Sequence, residues 1–498
     1  MATLVEFGPY LPDMPVLGTN GSSIARNVIP LTDRSYGPLG NLAATTGSLT
    51  ARCQGAVALR ASDGTIHHFA GDATKLYKLS TTTWNDVSIA AGYTIGAEAY
   101  WYGVILGDRV MMTQLTDAIQ SYVVGVSALF AVLAAAAPKA AKIAIIEPGF
   151  VMAGDTWDAA DGFKPGRIWW CAQEDPTSWP TPGTAAAAAV QSDFQDLSIG
   201  GRVQQIIGAV GGASCAIFME SAVYRGDYTG DAAIFHFQDI ERARGTPAPD
   251  SVINIGPFAL YLGEDGFYAF DGAKSVPIGT KMIDRTFFDD ADPDYFERMT
   301  SGADVTKKLA FWAYASNNAV NGALDKLLIY NWEINRWSFA EVTTEFIFRS
   351  FSQGLTLEQL GTLYGSIENV PLSLDSRAFA GGRITLAAFD TSHQMGSFEG
   401  SNLAATIETN EFNGNGKRFY INGLRAEVDG GTITAAIGYR ETPQATVTYT
   451  TATSAGGDGI CPQNISARFA RVRVSIAAGG DWDHAIGVEP ELIEDGER

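Results

Sequence analysis

The feature that most constrains the fold is an alternation of short aromatic runs with tight turns, clearest between residues 257 and 339. Phe258–Leu262 is followed by Gly-Glu-Asp-Gly and Phe267–Phe270 by Asp-Gly, and similar runs follow at Leu309–Tyr314 and Leu327–Trp332. Glycine supplies the positive φ angles that tight reversals require. Short aromatic and β-branched runs separated by turn residues indicate antiparallel strands. We interpret this stretch as one blade of a β-propeller.

The same pattern occurs earlier in the chain, which indicates internal repetition. Val57–Arg60, Ile66–Phe69 and Leu76–Leu79 are separated by turns, and Trp84 opens the next strand as Trp337 does in the later stretch. The interval between the two stretches contains further strand-like runs at Tyr100–Leu106, Lys142–Glu147, Arg167–Ala172, Gln204–Val210, Ser214–Met219 and Ala222–Gly226. Repeats with irregular spacing predict a propeller of about five to seven blades.

The character of the sequence changes near residue 401, where the strand-like runs become longer. In Ala470–Ile476 the residues Val472, Val474 and Ile476 fall on one face and polar residues on the other. Strict alternation of this kind is typical of a half-buried strand in a β-sandwich.

The sequence therefore predicts an all-β protein: an irregular β-propeller with a C-terminal β-sandwich-like domain and few short helices. The predicted parts are an extended N-terminal arm (residues 1–50), the β-propeller (51–400) and the C-terminal domain (401–498). The arm is rich in Pro and Gly, which argues against a helix, and the sequence leaves open whether it pairs with the C-terminal domain or contacts another subunit. The best helical signal runs from Asp292 to Met299, with Asp292 and Pro293 at its start.

A net charge of −21 argues against a protein that grips nucleic acid through a basic surface, because such binding needs Lys and Arg to neutralise phosphates. An acidic surface could instead let DNA pass without adhering, or could serve solubility alone. The four cysteines form no CxxC pair, so we expect reduced, buried thiols. No signal peptide is recognisable, and the most apolar window, residues 122–137, is too short to span a bilayer. We expect a soluble protein made in the cytoplasm.

No catalytic, cofactor-binding or metal-binding constellation stands out in the sequence. The adjacent residues His67 and His68 would point to opposite faces of a strand. The acidic run Asp289–Asp294 lacks the Gly and the closing Glu of an EF-hand loop, which favours a solvated loop over a calcium site. Gly208–Ala213 lies between strand-like runs and is a poor dinucleotide site, and the Trp residues are expected to fill the spaces between blades. We predict no site residues, no cofactor and no enzyme activity.

Several short motifs occur in one order along nearly the whole chain. They are Ala25–Pro30 with Tyr36, Phe69–Trp84, Gly200–Ile206, Leu262–Tyr268, Tyr330–Ser338 and Trp482–Val488. In this order they resemble the tail hub, nozzle or packaged-DNA stabilisation proteins of short-tailed double-stranded DNA bacteriophages. Each motif is short, and the resemblance depends on their order.

The resemblance implies a structural virion protein, a β-propeller subunit of a ring, usually a homohexamer, in the phage tail below the portal and adaptor. Such a ring continues the DNA channel, retains packaged DNA and guides its ejection. The implied partners are further copies of the chain, the portal and adaptor ring proteins, tail needle, spike or fibre proteins, and DNA that passes without sequence-specific binding. The implied location is the virion tail, with the host cytoplasm during assembly, and no membrane is implied in the mature virion. The family supplies no catalytic residues.

Two alternatives stay open. A propeller enzyme acting on glycans would need Arg, Glu and Tyr gathered at the centre of the propeller, and the sequence carries no marker of such a cluster. The other alternative is a carbohydrate-binding receptor protein of the same virion.

Overall fold

The computed structural model describes residues 4–352, 357–370, 373–374, 382–413 and 417–494. Within these residues, seven groups of four antiparallel strands follow one another along the chain, and we number them as blades 1 to 7. Blade 6 continues into a larger sheet, and the fourth strand of blade 7 comes from the N-terminal region.

In each blade the four strands run in order from the inner one to the outer one. Blade 1 consists of Ala56–Arg60, Ile66–Gly71, Leu76–Ser80 and Thr83–Asp86, and blade 2 of Tyr102–Leu106, Arg109–Thr113, Gln120–Val123 and Ala131–Val132. Blade 3 consists of Lys139–Ile146, Phe150–Asp158, Gly162–Trp170 and Asp193–Asp196, and blade 4 of Val203–Val210, Ala213–Met219, Val223–Tyr228 and Phe235–Glu241. Blade 5 consists of Ile253–Asn254, Ala259–Leu262, Phe267–Phe270 and Ser275–Pro277, and blade 6 of Thr300–Asp304, Leu309–Tyr314, Lys326–Asn331 and Arg336–Ala340. Blade 7 consists of Phe346–Phe351, Ile384–Phe389, Gln394–Ser397 and Ala43–Ser48.

The blades form a closed ring. The first strands of successive blades contact one another, or contact the turn just before blade 5, and the first strand of blade 7 contacts that of blade 1. A buried hydrophobic cluster fills the space between each pair of neighbouring blades around the whole ring. The prediction of an irregular β-propeller is therefore confirmed.

The strand Leu309–Tyr314 in blade 6 shows how the sequence builds this packing. Leu309 and Phe311 belong to the cluster shared with blade 7, whereas Ala310 and Trp312 belong to the cluster shared with blade 5. Alternate residues of a strand face opposite sides of its sheet. A strand covered by a neighbouring blade on both sides is therefore apolar throughout its length.

The stretch interpreted as one blade, residues 257–339, belongs to two blades, so that interpretation was wrong. Its first half lies in blade 5 and its second half in blade 6. Between the two blades the chain forms the helix Asp284–Asp290 and the 3₁₀-helix Pro293–Arg298. Turn residues mark where strands reverse, but they do not show which strands share a sheet.

The helices are few and short, as predicted. In the described residues they are the α-helices Ala185–Ala189, Asp284–Asp290 and Leu357–Tyr364 and the 3₁₀-helices Pro249–Ser251, Pro293–Arg298 and Ile367–Asn369. The predicted helical signal at 292–299 is one of these, and the Asp292 carboxylate accepts a hydrogen bond from the Asp294 N–H as its cap, at 3.1 Å. None of the helices in this part of the chain is long and apolar enough to cross a membrane.

The N-terminal region closes the propeller. Its strand Ala43–Ser48 is the outer strand of blade 7 and pairs with Gln394–Ser397. Backbone hydrogen bonds thus join the beginning and the end of the propeller sequence, which fastens the ring. This strand falls within the predicted arm, and the division of the chain at residues 50 and 400 stays a prediction.

The C-terminal region forms two sheets, and the N-terminal arm adds strands to both. One sheet contains Ala405–Glu408, Phe412–Asn413, Ile433–Arg440, Thr448–Tyr449, Thr453–Ser454 and Phe469–Ile476, and the other contains Val5–Glu6, Val28–Pro30, Tyr36–Pro38, Phe419–Val428, Ile460–Ala467 and Ala485–Glu494. Strand Ile24–Arg26 lies between Ala405–Glu408 and the outer strand of blade 6, which makes one continuous eleven-stranded sheet. In Phe469–Ile476 every second residue is buried, as its alternation predicted.

Candidate functional site

The adjacent histidines lie on the second strand of blade 1 and point to opposite faces, as predicted. His67 Nε2 lies 2.8 Å from Thr65 Oγ1 at an exposed position, whereas the buried His68 Nε2 lies 2.8 Å from Ser350 Oγ of blade 7. Burial lowers the pKa of His68 to about 4, so its ring is neutral at pH 7. His68 is thus part of the packing between blades 1 and 7.

The acidic run Asp289–Asp294 makes structural contacts. Asp290 accepts hydrogen bonds from Lys326 Nζ, at 2.7 Å, and from Tyr314 OH, at 2.9 Å. Asp292 caps the 3₁₀-helix that follows. In the part of the chain that the structure describes, no group of three His, Cys, Asp or Glu side chains is arranged to hold a metal ion.

The remaining features singled out in the sequence are also part of the framework. Gly208–Ala213 spans the hairpin between the first two strands of blade 4. The four cysteines are buried free thiols, as predicted. Eight of the ten tryptophans are buried, namely Trp84, Trp101, Trp169, Trp170, Trp179, Trp312, Trp337 and Trp482, which confirms that most of these rings serve packing.

The structure brings together polar residues at the centre of the propeller, where a cavity of about 310 Å³ opens. Its charged, amide and tyrosine lining residues are Glu98, Tyr100, Tyr102, Gln114, Lys142, Arg202, Gln204 and Glu297. All of these residues except Gln114 lie in, or shortly before, the inner strands of blades 2, 3, 4 and 6, and Gln114 directly follows the second strand of blade 2. Inner strands surround the propeller axis, so residues distant in sequence converge there.

Lys142 is the most unusual residue of this cavity. It lies on the inner strand of blade 3 and is 6% exposed, and its Nζ lies 3.6 Å from the centroid of the Tyr102 ring. Among the described residues its Nζ makes no hydrogen bond and no ion pair. Burial lowers the pKa of Lys142 to about 8, against the opposing effect of the Asp250 and Asp155 carboxylates. At pH 7 the group is still mostly an ammonium ion.

A tyrosine–carboxylate pair lies beside this lysine. Tyr102 OH donates a hydrogen bond to Asp250 Oδ2, at 2.9 Å. Asp250 is held by the short 3₁₀-helix Pro249–Ser251 that precedes blade 5. Burial raises the pKa of Asp250, and burial together with the adjacent carboxylate raises the pKa of Tyr102 well above its usual value. The phenol therefore keeps its proton.

Two ion pairs complete the surroundings of the cavity. Arg202 Nε donates a hydrogen bond to Asp155 Oδ2 at 2.6 Å, and Arg298 Nη2 donates one to Glu98 Oε1 at 2.6 Å. Burial raises the pKa of Asp155 to about 6. Within the described residues the terminal nitrogens of Arg202 make no hydrogen bond. The cavity thus presents cationic donors that could bind an anion.

Reasoning from the sequence missed this cluster. A signal was present at one position: Lys142 interrupts a strand of Ala and Ile residues, where a charged residue is rarely buried without a partner. Arg202, Glu98 and Glu297 carried no such signal, because each stands outside the strand-like runs, where an isolated charged residue is expected to be solvated. Their convergence depends on how the blades are arranged around the axis.

No family model and no curated protein matches the chain. Among solved structures, the chain is similar to the Neurospora crassa Pan2 WD40 domain, with 7% sequence identity, a TM-score of 0.36, and coverage of 72% of this chain and 89% of that one. It is also similar to BBS1N in complex with ARL6DN, with 10% identity, a TM-score of 0.37, and coverage of 72% and 97%. The propeller assignment stands on the seven blades and their closed ring described above.

Proposed function

We propose that this protein is a structural subunit of a homo-oligomeric ring in the tail of a short-tailed bacteriophage, where it continues the DNA channel, retains packaged DNA and guides its ejection. The motif order described above is the support for the phage tail. The observation that supports self-assembly is a set of exposed apolar side chains on blades 2 and 3. Exposed apolar patches on soluble proteins mark interfaces.

The exposed apolar residues lie near the outer strand of blade 2 and at the tip of the hairpin formed by the second and third strands of blade 3. Val126 is 83% exposed and Val132 is 49% exposed. Trp157 and Phe163, 40% and 49% exposed, are directly opposite each other near the tip of the longest hairpin of the propeller, Phe150–Trp170. A projecting hairpin with two aromatic side chains is suited to insertion between neighbouring subunits, because large rings contribute much of the energy of an interface.

The connection between the parts of the chain also supports a structural role. The eleven-stranded sheet runs from blade 6 through the arm to the C-terminal region. Backbone hydrogen bonds therefore fix one of the two C-terminal sheets relative to the propeller. A rigid subunit is what a ring of constant channel width requires, since a closed ring needs one fixed geometry at every interface.

The test is the mass of the purified protein in solution, measured by light scattering alone and with the neighbouring tail-ring protein. We expect a particle of about six copies in at least one sample. The double variant Trp157→Lys with Phe163→Lys should lower this mass to that of the monomer. The matched control is Val320→Lys, because Val320 is 75% exposed and lies on blade 6. A monomer in both wild-type samples would reject the ring.

The central cavity favours a second candidate, a glycan-active or carbohydrate-binding propeller. That alternative requires Arg, Glu and Tyr at the centre of the propeller, and Arg202, Glu98, Glu297, Tyr100 and Tyr102 line the cavity there. The test is the release of new reducing ends from a panel of polysaccharides. Release that is abolished by Glu297→Gln would support an enzyme. Binding of a glycan without cleavage would support a receptor. If the protein neither cleaves nor binds any glycan of the panel, this candidate is rejected.

A further inference from the structure

The central cavity contains more hydrogen-bond donors than acceptors. Lys142 Nζ, the terminal nitrogens of Arg202 and the amide of Gln204 line it, and within the described residues none of these groups has a hydrogen-bonding partner. The Lys142 ammonium contacts the face of the Tyr102 ring but has no hydrogen-bond or ion-pair partner among the described residues, and a buried ammonium in that state is costly, since burial removes much of its water. A ligand that supplies an anionic oxygen would offset this cost.

The charges around the cavity indicate how much negative charge the ligand carries. The pairs Arg202–Asp155 and Arg298–Glu98 are each neutral, which leaves Lys142 as the cation without an ion-pair partner. The Asp250 and Glu297 carboxylates also lie close enough to act on Lys142, since their negative charge opposes the lowering of its pKa. Because these carboxylates already compensate the charge of Lys142, the site tolerates at most one further negative charge, placed at the unused donors of Lys142 and Arg202, and a second would be repelled.

The other walls indicate the body of the ligand. The rings of Tyr100 and Tyr102 and the small side chains of Ala97, Ala99 and Ala141 give an apolar surface. Glu297 is exposed at this site and has no hydrogen bond or ion pair within the described residues, so it can accept from a hydroxyl group. The volume of about 310 Å³ lies at the lower end for ligand sites, which suits a molecule with a single ring.

From these contacts we infer that the cavity binds a small hydroxylated carboxylate of the sugar-acid class. Its carboxylate lies between Lys142 and Arg202, and its hydroxyl groups contact Gln204 and Glu297. Its ring packs against the tyrosines. This inference goes beyond ring assembly and does not depend on it, because a cavity at the propeller axis is formed within one subunit.

The test uses the full-length protein and isothermal titration calorimetry. The probes are D-glucuronate, D-galacturonate and D-gluconate, with D-glucose and D-galactose as neutral counterparts and inorganic phosphate as the alternative anion. We expect at least one sugar acid to bind, and its neutral counterpart to bind at least about tenfold more weakly, because charge-assisted hydrogen bonds are the strong ones.

Two variants and a control locate the binding. Lys142→Met should weaken binding of the sugar acid by about tenfold to a hundredfold, and Gln204→Met should weaken it less. Lys139→Met is the control, because Lys139 lies on the same strand but donates to Thr116 O outside the cavity, at 2.6 Å. Circular dichroism establishes that each variant is folded.

Three results would overturn the inference: no binding of any of the sugar acids, equal binding to the Lys142→Met variant, or tighter binding of phosphate than of every sugar acid. Each leaves the light-scattering test of the ring unaffected, so the two proposals can fail separately.

Discussion

Arg336 fastens the N-terminal arm to the propeller, and its replacement is the sharpest test of how the two are joined. This residue of blade 6 is 3% exposed. Its Nη1 donates to the Thr32 carbonyl at 2.9 Å, and its Nη2 donates to the carbonyls of Phe7 and Gly8 at 3.0 and 2.8 Å. The guanidinium group also lies 4.4 Å from the centroid of the Tyr36 ring. One buried side chain thus holds three points of the arm.

The expected loss of stability in Arg336→Met follows from these contacts. Methionine keeps much of the apolar stem and removes the charge, so no buried cation is left unpaired. The carbonyls of Phe7 and Thr32 lose this donor, whereas Gly8 O still accepts from Tyr36 OH at 3.0 Å. An unsatisfied buried carbonyl costs about 1–3 kcal/mol, and the lost cation–π contact adds about 1 kcal/mol. The Phe7 carbonyl is buried whereas that of Thr32 is only partly buried, so we expect a decrease of about 2–4 kcal/mol in the free energy of unfolding.

Urea unfolding measures this loss, and hydrogen exchange locates it. The amides of Val28, Ile29, Tyr36 and Gly37 should exchange faster in Arg336→Met, because the arm strands open without the rest of the fold. The matched control is Arg34→Met, whose side chain is 71% exposed and 3.9 Å from Glu6; it should change stability by less than about 0.5 kcal/mol. Equal stability and equal exchange in the two variants would refute the fastening role of Arg336.

Three further predictions concern single residues. His68 binds a proton near pH 6.5 in the unfolded chain but only near pH 4 in the folded protein. The free energy of unfolding should therefore fall by roughly 3 kcal/mol as the pH is lowered from 6.5 to 4. His68→Asn should flatten this pH dependence in urea unfolding, and an unchanged slope would contradict the prediction. Lys142→Met removes a buried ammonium that has no hydrogen-bond or ion-pair partner in the described residues and should raise the free energy of unfolding at pH 7 by about 1–3 kcal/mol, whereas a comparable decrease would show that the charge is compensated. A Cβ at Gly396 would overlap the Ala43 carbonyl, so Gly396→Ala should cost more than about 2 kcal/mol and speed exchange in the closing strand of blade 7. Its control is Gly361→Ala in a helix with open space around that position, which should be neutral or stabilising.

Much of the architecture was predictable because it depends on local patterns. The alternation in Phe469–Ile476 predicted which residues are buried, and the runs around Leu309–Tyr314 predicted antiparallel strands. The helical signal that began at Asp292 also formed, since a capping carboxylate acts within one turn. The assignment of residues 257–339 to one blade failed because the grouping of strands into blades does not depend on local patterns. Strands that follow one another look alike whether they share a blade or start the next one.

The central cavity was not predictable. Tyr102 and Lys142 lie on blades 2 and 3, Arg202 directly precedes blade 4, and Glu297 lies on the 3₁₀-helix before blade 6. Each is separated from the next by many residues with no common motif. Only Lys142, within its apolar strand, gave a sign of special surroundings.

The amino-acid sequence by itself determined where strands form, where they reverse and which of their faces is apolar, because steric preferences and the two-residue period of a strand act over a few neighbours. The tertiary structure alone decided that Ala43–Ser48 completes blade 7, that Ile24–Arg26 joins blade 6 to the C-terminal sheet, and that Lys142 meets Arg202 at the axis. These pairings connect segments far apart in the chain. Each depends on segments that meet only in the folded chain, where backbone groups and apolar faces find their partners.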